Sequence, residues 1–191
     1  MNWKEKLSEI EISFGHHEKR DWRSAIKLVE NLISEYPNNI EINVRAIYII
    51  HNILVEEEYP NDEHDLMADL LKRCFSKSYQ RFSENPEYLF FIGKILYIAE
   101  WYFGLSDDLK PLEKKLAFRM QKKAYEMEFN NQLYEWAFVF SKDEKKKAFA
   151  LSNQILNGES NWLEWLKTKG YPGTYVIESL EYCYEYYKKL V

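Results

Sequence analysis

Seven carboxylates, Glu56, Glu57, Glu58, Asp62, Glu63, Asp65 and Asp69, lie in a stretch with no Lys or Arg from residue 56 through residue 69. Only His64 offers positive charge there. At a hairpin tip and the start of a following helix, such residues sit where free N–H groups and the helix dipole favour negative charge. Presented to solvent as a patch, they would steer a basic protein partner, speeding encounter and suppressing wrong partners. Asp62, His64 and Asp65 could also meet on a cation, but ion selection needs a ligand geometry that this spacing does not assure, and no metal is expected. His16-His17-Glu18 is the other cluster of ligating residue types. Neighbours on a helix point about 100° apart and do not easily share one ion, so this reads as a polar hairpin end.

Basic charge concentrates at Lys110, Lys114, Lys115, Arg119, Lys122 and Lys123, then at Lys142, Lys145, Lys146 and Lys147. Lys115, Arg119 and Lys122 share a helix face and could follow a phosphate backbone. Glu113, Asp143 and Glu144 interrupt the run, which favours a solvated face, and no nucleic acid is expected as partner. The chain has 15 Tyr, 11 Phe and 6 Trp, and aromatics left outside the core are the commonest anchors of protein interfaces. Trp162, Trp165, Tyr171, Tyr175, Tyr182 and Tyr186 are the candidates for such a surface. The chain contains no Gly-rich phosphate loop, G-x-S-x-G elbow, H-E-x-x-H helix or paired C-x-x-C, so no catalytic residue or cofactor is assigned.

These groups must be carried by helices. Only 6 Gly and 5 Pro occur in 191 residues that are 46% apolar, so turns are few and helices long. Punctuation by Pro37, Pro60, Pro86 and Pro172 predicts ten helices, at 2–18, 22–36, 39–58, 62–82, 86–103, 107–128, 130–140, 142–157, 161–169 and 173–190. Asp21, Asn38 or Asn39, Asn61 or Asp62, Asn85, Ser106 and Ser141 are the expected N-caps, Ser141 with Glu144 having capping-box spacing. In 22–36, Trp22, Ala25, Ile26, Val29, Leu32 and Ile33 form one stripe that must be buried. In the last helix Val176, Leu180, Cys183, Tyr184, Tyr187 and Val191 read as core, with Tyr175, Tyr182 and Tyr186 as a flanking row. No long linker appears, and one domain over 1–191 is expected.

Tyr88 to Leu105 is nearly apolar enough to span a bilayer, but Lys94 and Glu100 would each be costly there, so a buried helix is expected. The net charge of -5 and a charged N-terminus without a signal core point to a cytoplasmic protein. Cys74 and Cys183 sit inside helical patterns and read as reduced core or boundary thiols.

The segment from Arg20 to Asn39 resembles the second helix of a tetratricopeptide repeat: Ala25, Val29, Leu32 and Pro37 follow that motif's order and spacing. Ile12 falls at an apolar site of the preceding helix, whereas Glu9, Ser13 and His16 depart from the usual residues, so the match covers about residues 9–37. Asn85-Pro86-Glu87-Tyr88 with Ile92-Gly93 is a weaker echo, and the 34-residue period of such arrays is not kept. The resemblance implies an all-α fold of antiparallel helical hairpins stacked as a degenerate α-solenoid, with a compact non-repetitive helical domain as the alternative. It implies a non-catalytic protein-binding module. The most specific expectation is a bacterial immunity protein that neutralises a cognate, basic, nuclease-type toxin. An adaptor or chaperone-binding protein and a small helical hydrolase or RNA-processing factor are the alternatives.

Overall fold

The computed structural model describes residues 2–15, 21–56, 60–106 and 109–189. Among them the regular structure is entirely helical. Ten α-helices follow in order: α1 (Trp3–Gly15), α2 (Trp22–Glu35), α3 (Ile40–Glu56), α4 (Asn61–Phe82), α5 (Pro86–Ala99), α6 (Leu116–Met127), α7 (Gln132–Ser141), α8 (Lys145–Asn157), α9 (Trp162–Lys167) and α10 (Tyr171–Lys188), with short 3₁₀ turns at Glu100–Phe103 and Leu112–Lys114. Four of the helix starts, those of α2, α3, α5 and α7, are fixed by short polar side chains. Asp21 accepts from the Ser24 amide, Asn39 from Ile42, Asn85 from Tyr88 and Asn131 from Leu133 and Tyr134, each occupying an otherwise orphaned N–H. The Ser24 hydroxyl and amide hold the Asp21 carboxyl below its usual range.

Three expectations about boundaries are corrected, the first being the start of α4, where Pro60 rather than Asn61 or Asp62 takes the N-cap position and makes no side-chain bond. α6 begins at Leu116, well after residue 107, because Pro111 and Lys115 are both extended and a proline also drives its predecessor out of helix. Ser141 does not cap α8. It closes α7, its hydroxyl donating to the Phe138 carbonyl at 2.6 Å, and Glu144 takes the N-cap position without a side-chain bond after a turn through Asp143 at φ 55°. No helix among the described residues is long and apolar enough to cross a membrane.

The chain divides into two compact units, residues up to Ser83 with Tyr102–Gly104, and Glu84–Trp101 with the chain from Leu105 onward. In the first unit α3 is the central helix, packed by α1, α2 and α4. Its run from Ile42 to Leu54 is buried at every position except Asn52, which is half-buried. Of the α2 stripe expected to be buried, Ala25, Val29 and Leu32 are, whereas Trp22, Ile26 and Ile33 are only half-buried. The buried α3 also carries Arg45, whose guanidinium forms a two-pronged ion pair with Glu11 of α1 at 2.9 and 2.6 Å and reaches Glu41 at 3.3 Å. His51 is buried beside the rings of Tyr102 and Phe103, neither ring nitrogen is hydrogen-bonded among the described residues, and burial lowers its pKa to about 4. The imidazole is therefore neutral at pH 7.

The second unit is built on α5, whose residues Tyr88 to Leu96 are all buried. α6 lies along α5, α7 packs on α6 and α8, and α10 closes against α8 and α9. Gly93 permits the close approach of α6, since a Cβ there would collide with the Gln121 amide, which is fully buried and donates to the Phe90 carbonyl at 2.9 Å. Gly173 does the same for α9 and α10, because a Cβ would strike the Leu166 carbonyl. Val176, Leu180, Cys183 and Tyr187 form the buried stripe of α10.

Candidate functional site

The second unit contains a cavity of about 510 Å³ whose walls come from three helices. α5 supplies Lys94 and Tyr97, and α7 supplies Phe140 and Ser141. α10 supplies Tyr175, Glu178, Ser179 and Tyr182, spaced at three and four residues so that they face one way. Lys94 is 4% exposed. Its ammonium lies 4.5 Å from the Trp136 ring centre and 4.6 Å from that of Phe140, two rings of α7 that stack on each other one turn apart at 5.5 Å. Among the described residues no carboxylate or carbonyl pairs with it. Burial lowers its pKa to about 8, with Cys183 opposing, and pushes Tyr97 up to about 12. At pH 7 the cavity therefore presents one desolvated positive charge among aromatic faces, an arrangement that can receive an anionic group.

The aromatic row extends this wall. Tyr182 and Tyr186 are 62% and 48% exposed and stack on each other at 5.5 Å and 13°. Both face solvent because the neighbouring stripe of α10 is the one that meets the core. Tyr175 is half-buried at the cavity, and Tyr171 is half-buried. The two tryptophans do not join this group. Trp165 stacks on buried Phe91 at 5.7 Å, with Lys169 over its ring at 4.6 Å and that lysine held by Glu87 at 2.7 Å. Trp162 meets Trp165 edge-on and borders a separate hollow with Met127 and Phe129.

The acidic run belongs to the first unit, and folding neutralises part of it. Glu63 accepts two bonds from Arg23 of α2, at 2.8 and 2.9 Å, and Asp69 lies 3.4 Å from Lys72. Glu56 is exposed, and Asp65 is 87% exposed with only His64 at 3.5 Å. Glu57, Glu58, the side chain of Asp62 and the cluster His16-His17-Glu18 lie outside the described residues. Among the described residues no group of His, Cys, Asp and Glu is placed to hold a metal ion. The basic face is interleaved with acids as its sequence suggested: Lys115 pairs with Glu100, Lys122 with Glu126, Lys123 with Glu84, Lys142 with Glu144, Lys145 with Asp143 and Lys147 with Glu135.

Sequence reasoning used Lys94 only as a charge opposed to a membrane span. The usable signal was a lone cation inside the apolar run Tyr88 to Ala99. Comparison with protein-family models, with curated proteins and with solved structures finds no match to this chain.

Proposed function

We propose that this chain is a non-catalytic protein-binding module of the degenerate tetratricopeptide-like type, acting in the cytoplasm. Its most specific role in this reading is that of a bacterial immunity protein that captures and neutralises a cognate basic toxin. The observation that carries the reading is the exposed, stacked pair Tyr182 and Tyr186 on α10, continuous with the cavity through Tyr182. Large aromatic faces left in water and held rigid by each other are the commonest anchors of a protein interface. The spacing of Ala25, Val29, Leu32 and Pro37 supports the repeat resemblance, and the burial of the first three agrees with it. A net charge of -5 and the 87% exposed Asp65 suit a basic partner.

The test is co-expression with the basic proteins encoded beside this chain in its native host. The reading requires that one of them be toxic alone, harmless with the chain, and recovered with it in equal amounts through an affinity tag. Glu56→Lys with Asp65→Lys should then slow association at low salt and leave dissociation nearly unchanged. If none of these proteins is toxic or co-purifies, the immunity role is wrong. Capture of many chaperones instead would favour an adaptor.

A further inference from the structure

We propose that the cavity formed by α5, α7 and α10 binds a small monocarboxylic acid with an apolar body, its carboxylate received by Lys94 and its body laid against Phe140, Tyr175 and Tyr182. This goes beyond the protein-binding reading and does not depend on it, since a partner can dock on Tyr182 and Tyr186 whether or not an acid fills the cavity.

Burying an ammonium is costly unless it is paired, and contacts with two ring faces return only part of the lost hydration. Lys94 has those ring contacts, and no counter-ion among the described residues. Its charge adjoins a cavity of about 510 Å³, within the size range of small-ligand pockets. The missing partner is therefore an anion small enough to enter.

The walls narrow its chemistry. Lys94 is the single cation of the lining, and no arginine is there to grip a phosphate in two places. Glu178 stands exposed on the same lining and forms no ion pair with Lys94, so a second negative charge on the ligand would be repelled. The remaining walls are largely aromatic and reward an apolar body. A monoanionic carboxylate meets all three conditions, and a phosphate monoester fails the first two. Lys94 keeps enough of its charge to serve at neutral pH, because burial lowers its pKa to about 8 and no further.

The experiment titrates the full chain with 3-phenylpropionate, with the isosteric neutral 3-phenylpropionamide, with inorganic phosphate and with the peptide acetyl-Gly-Phe, by calorimetry and by NMR. We expect saturable one-to-one binding of the acid and at least about tenfold weaker binding of the amide. Phosphate should not compete. Lys94→Met should abolish the preference of acid over amide while its spectrum stays that of a folded chain. The acid–amide comparison on the unaltered chain tests the assignment even if the variant fails to fold. Equal affinity for acid and amide, displacement by phosphate, or no binding of the acid would each overturn the proposal. Tighter binding of the peptide than of the acid would also overturn it, by assigning the carboxylate to a protein terminus.

Discussion

Replacing Lys94 by Met should make the protein more stable at pH 7, which is the opposite of the usual result for a fully buried side chain. Methionine has a similar length and leaves the packing of α5 on α7 nearly intact, while removing a charge that has no counter-ion among the described residues. The fall of the lysine pKa from 10.5 to about 8 corresponds to a cost of about 3 kcal/mol for keeping the folded-state ammonium charged. Loss of the cation contacts with Trp136 and Phe140 removes about 2 kcal/mol per ring, of which a methionine sulfur against the same rings returns about 1 each, so a net gain of about 1 kcal/mol is expected. The sign with pH is definite. Below about 8 Lys94 is protonated in both folded and unfolded chains, and the cost is complete. Between about 8 and 10.5 the unfolded chain still holds its proton while the folded chain has released it, so the wild type recovers stability.

The advantage of the variant should therefore shrink across that interval. The thiols of Cys74, pushed up to about 11 by burial, and Cys183, also raised, lower stability over the same range. Cys74 titrates alike in both proteins and cancels in the difference, which then reports Lys94 together with its coupling to Cys183. Urea unfolding followed by tryptophan fluorescence at pH 7, 8, 9 and 10 measures it. A variant less stable than wild type at pH 7, or a difference that does not change with pH, would refute the claim that Lys94 is an uncompensated buried charge.

Arg45→Ala should cost about 3–5 kcal/mol in the same assay, because it takes from buried Glu11 its two-pronged cationic partner, and pairing it with Glu11→Leu should recover much of the loss. Gly93→Ala improves helix propensity yet should destabilise by about 1–3 kcal/mol, since the methyl displaces Gln121 and breaks its bond to the Phe90 carbonyl. His51 has a folded pKa of about 4 against 6.5 in the free side chain, so its neutral form favours the fold above pH 6.5. As pH falls toward 4 the unfolded chain gains a proton that the folded one refuses, and about 3 kcal/mol of stability should be lost. His51→Phe should lack that loss, as a comparison of unfolding midpoints from pH 7 to 4 will show.

The all-α fold was legible because its signals are local. The caps Asp21, Asn39 and Asn85 each act within four residues and behave as their spacing required, and the centre of the α2 stripe, Ala25, Val29 and Leu32, is buried. The late start of α6 was missed because Pro111 was not counted among the breaks, although its effect on its neighbours is equally local. Pairings across elements were not legible. Arg23 lies 40 residues from Glu63, so a run that looks wholly acidic along the chain is partly neutralised in space. The exposed and buried rows of α10 could be separated by period alone, which placed Tyr182 and Tyr186 on the surface. The cavity beside them required knowing that α5 and α7 bring Lys94 and Phe140 to the same place. No spacing within one helix encodes that meeting.

The protein-binding reading rests on Tyr182 and Tyr186, and the most direct measurement is the affinity of the chain for its neighbouring basic protein with both tyrosines changed to Ser. Anchor residues of an interface cost at least about 2 kcal/mol each when truncated, so dissociation should accelerate by at least about thirtyfold for each change. The melting temperature should fall by only a few degrees, because both side chains are largely exposed and pack mainly on each other. An unaltered dissociation rate in a folded double variant would contradict the account.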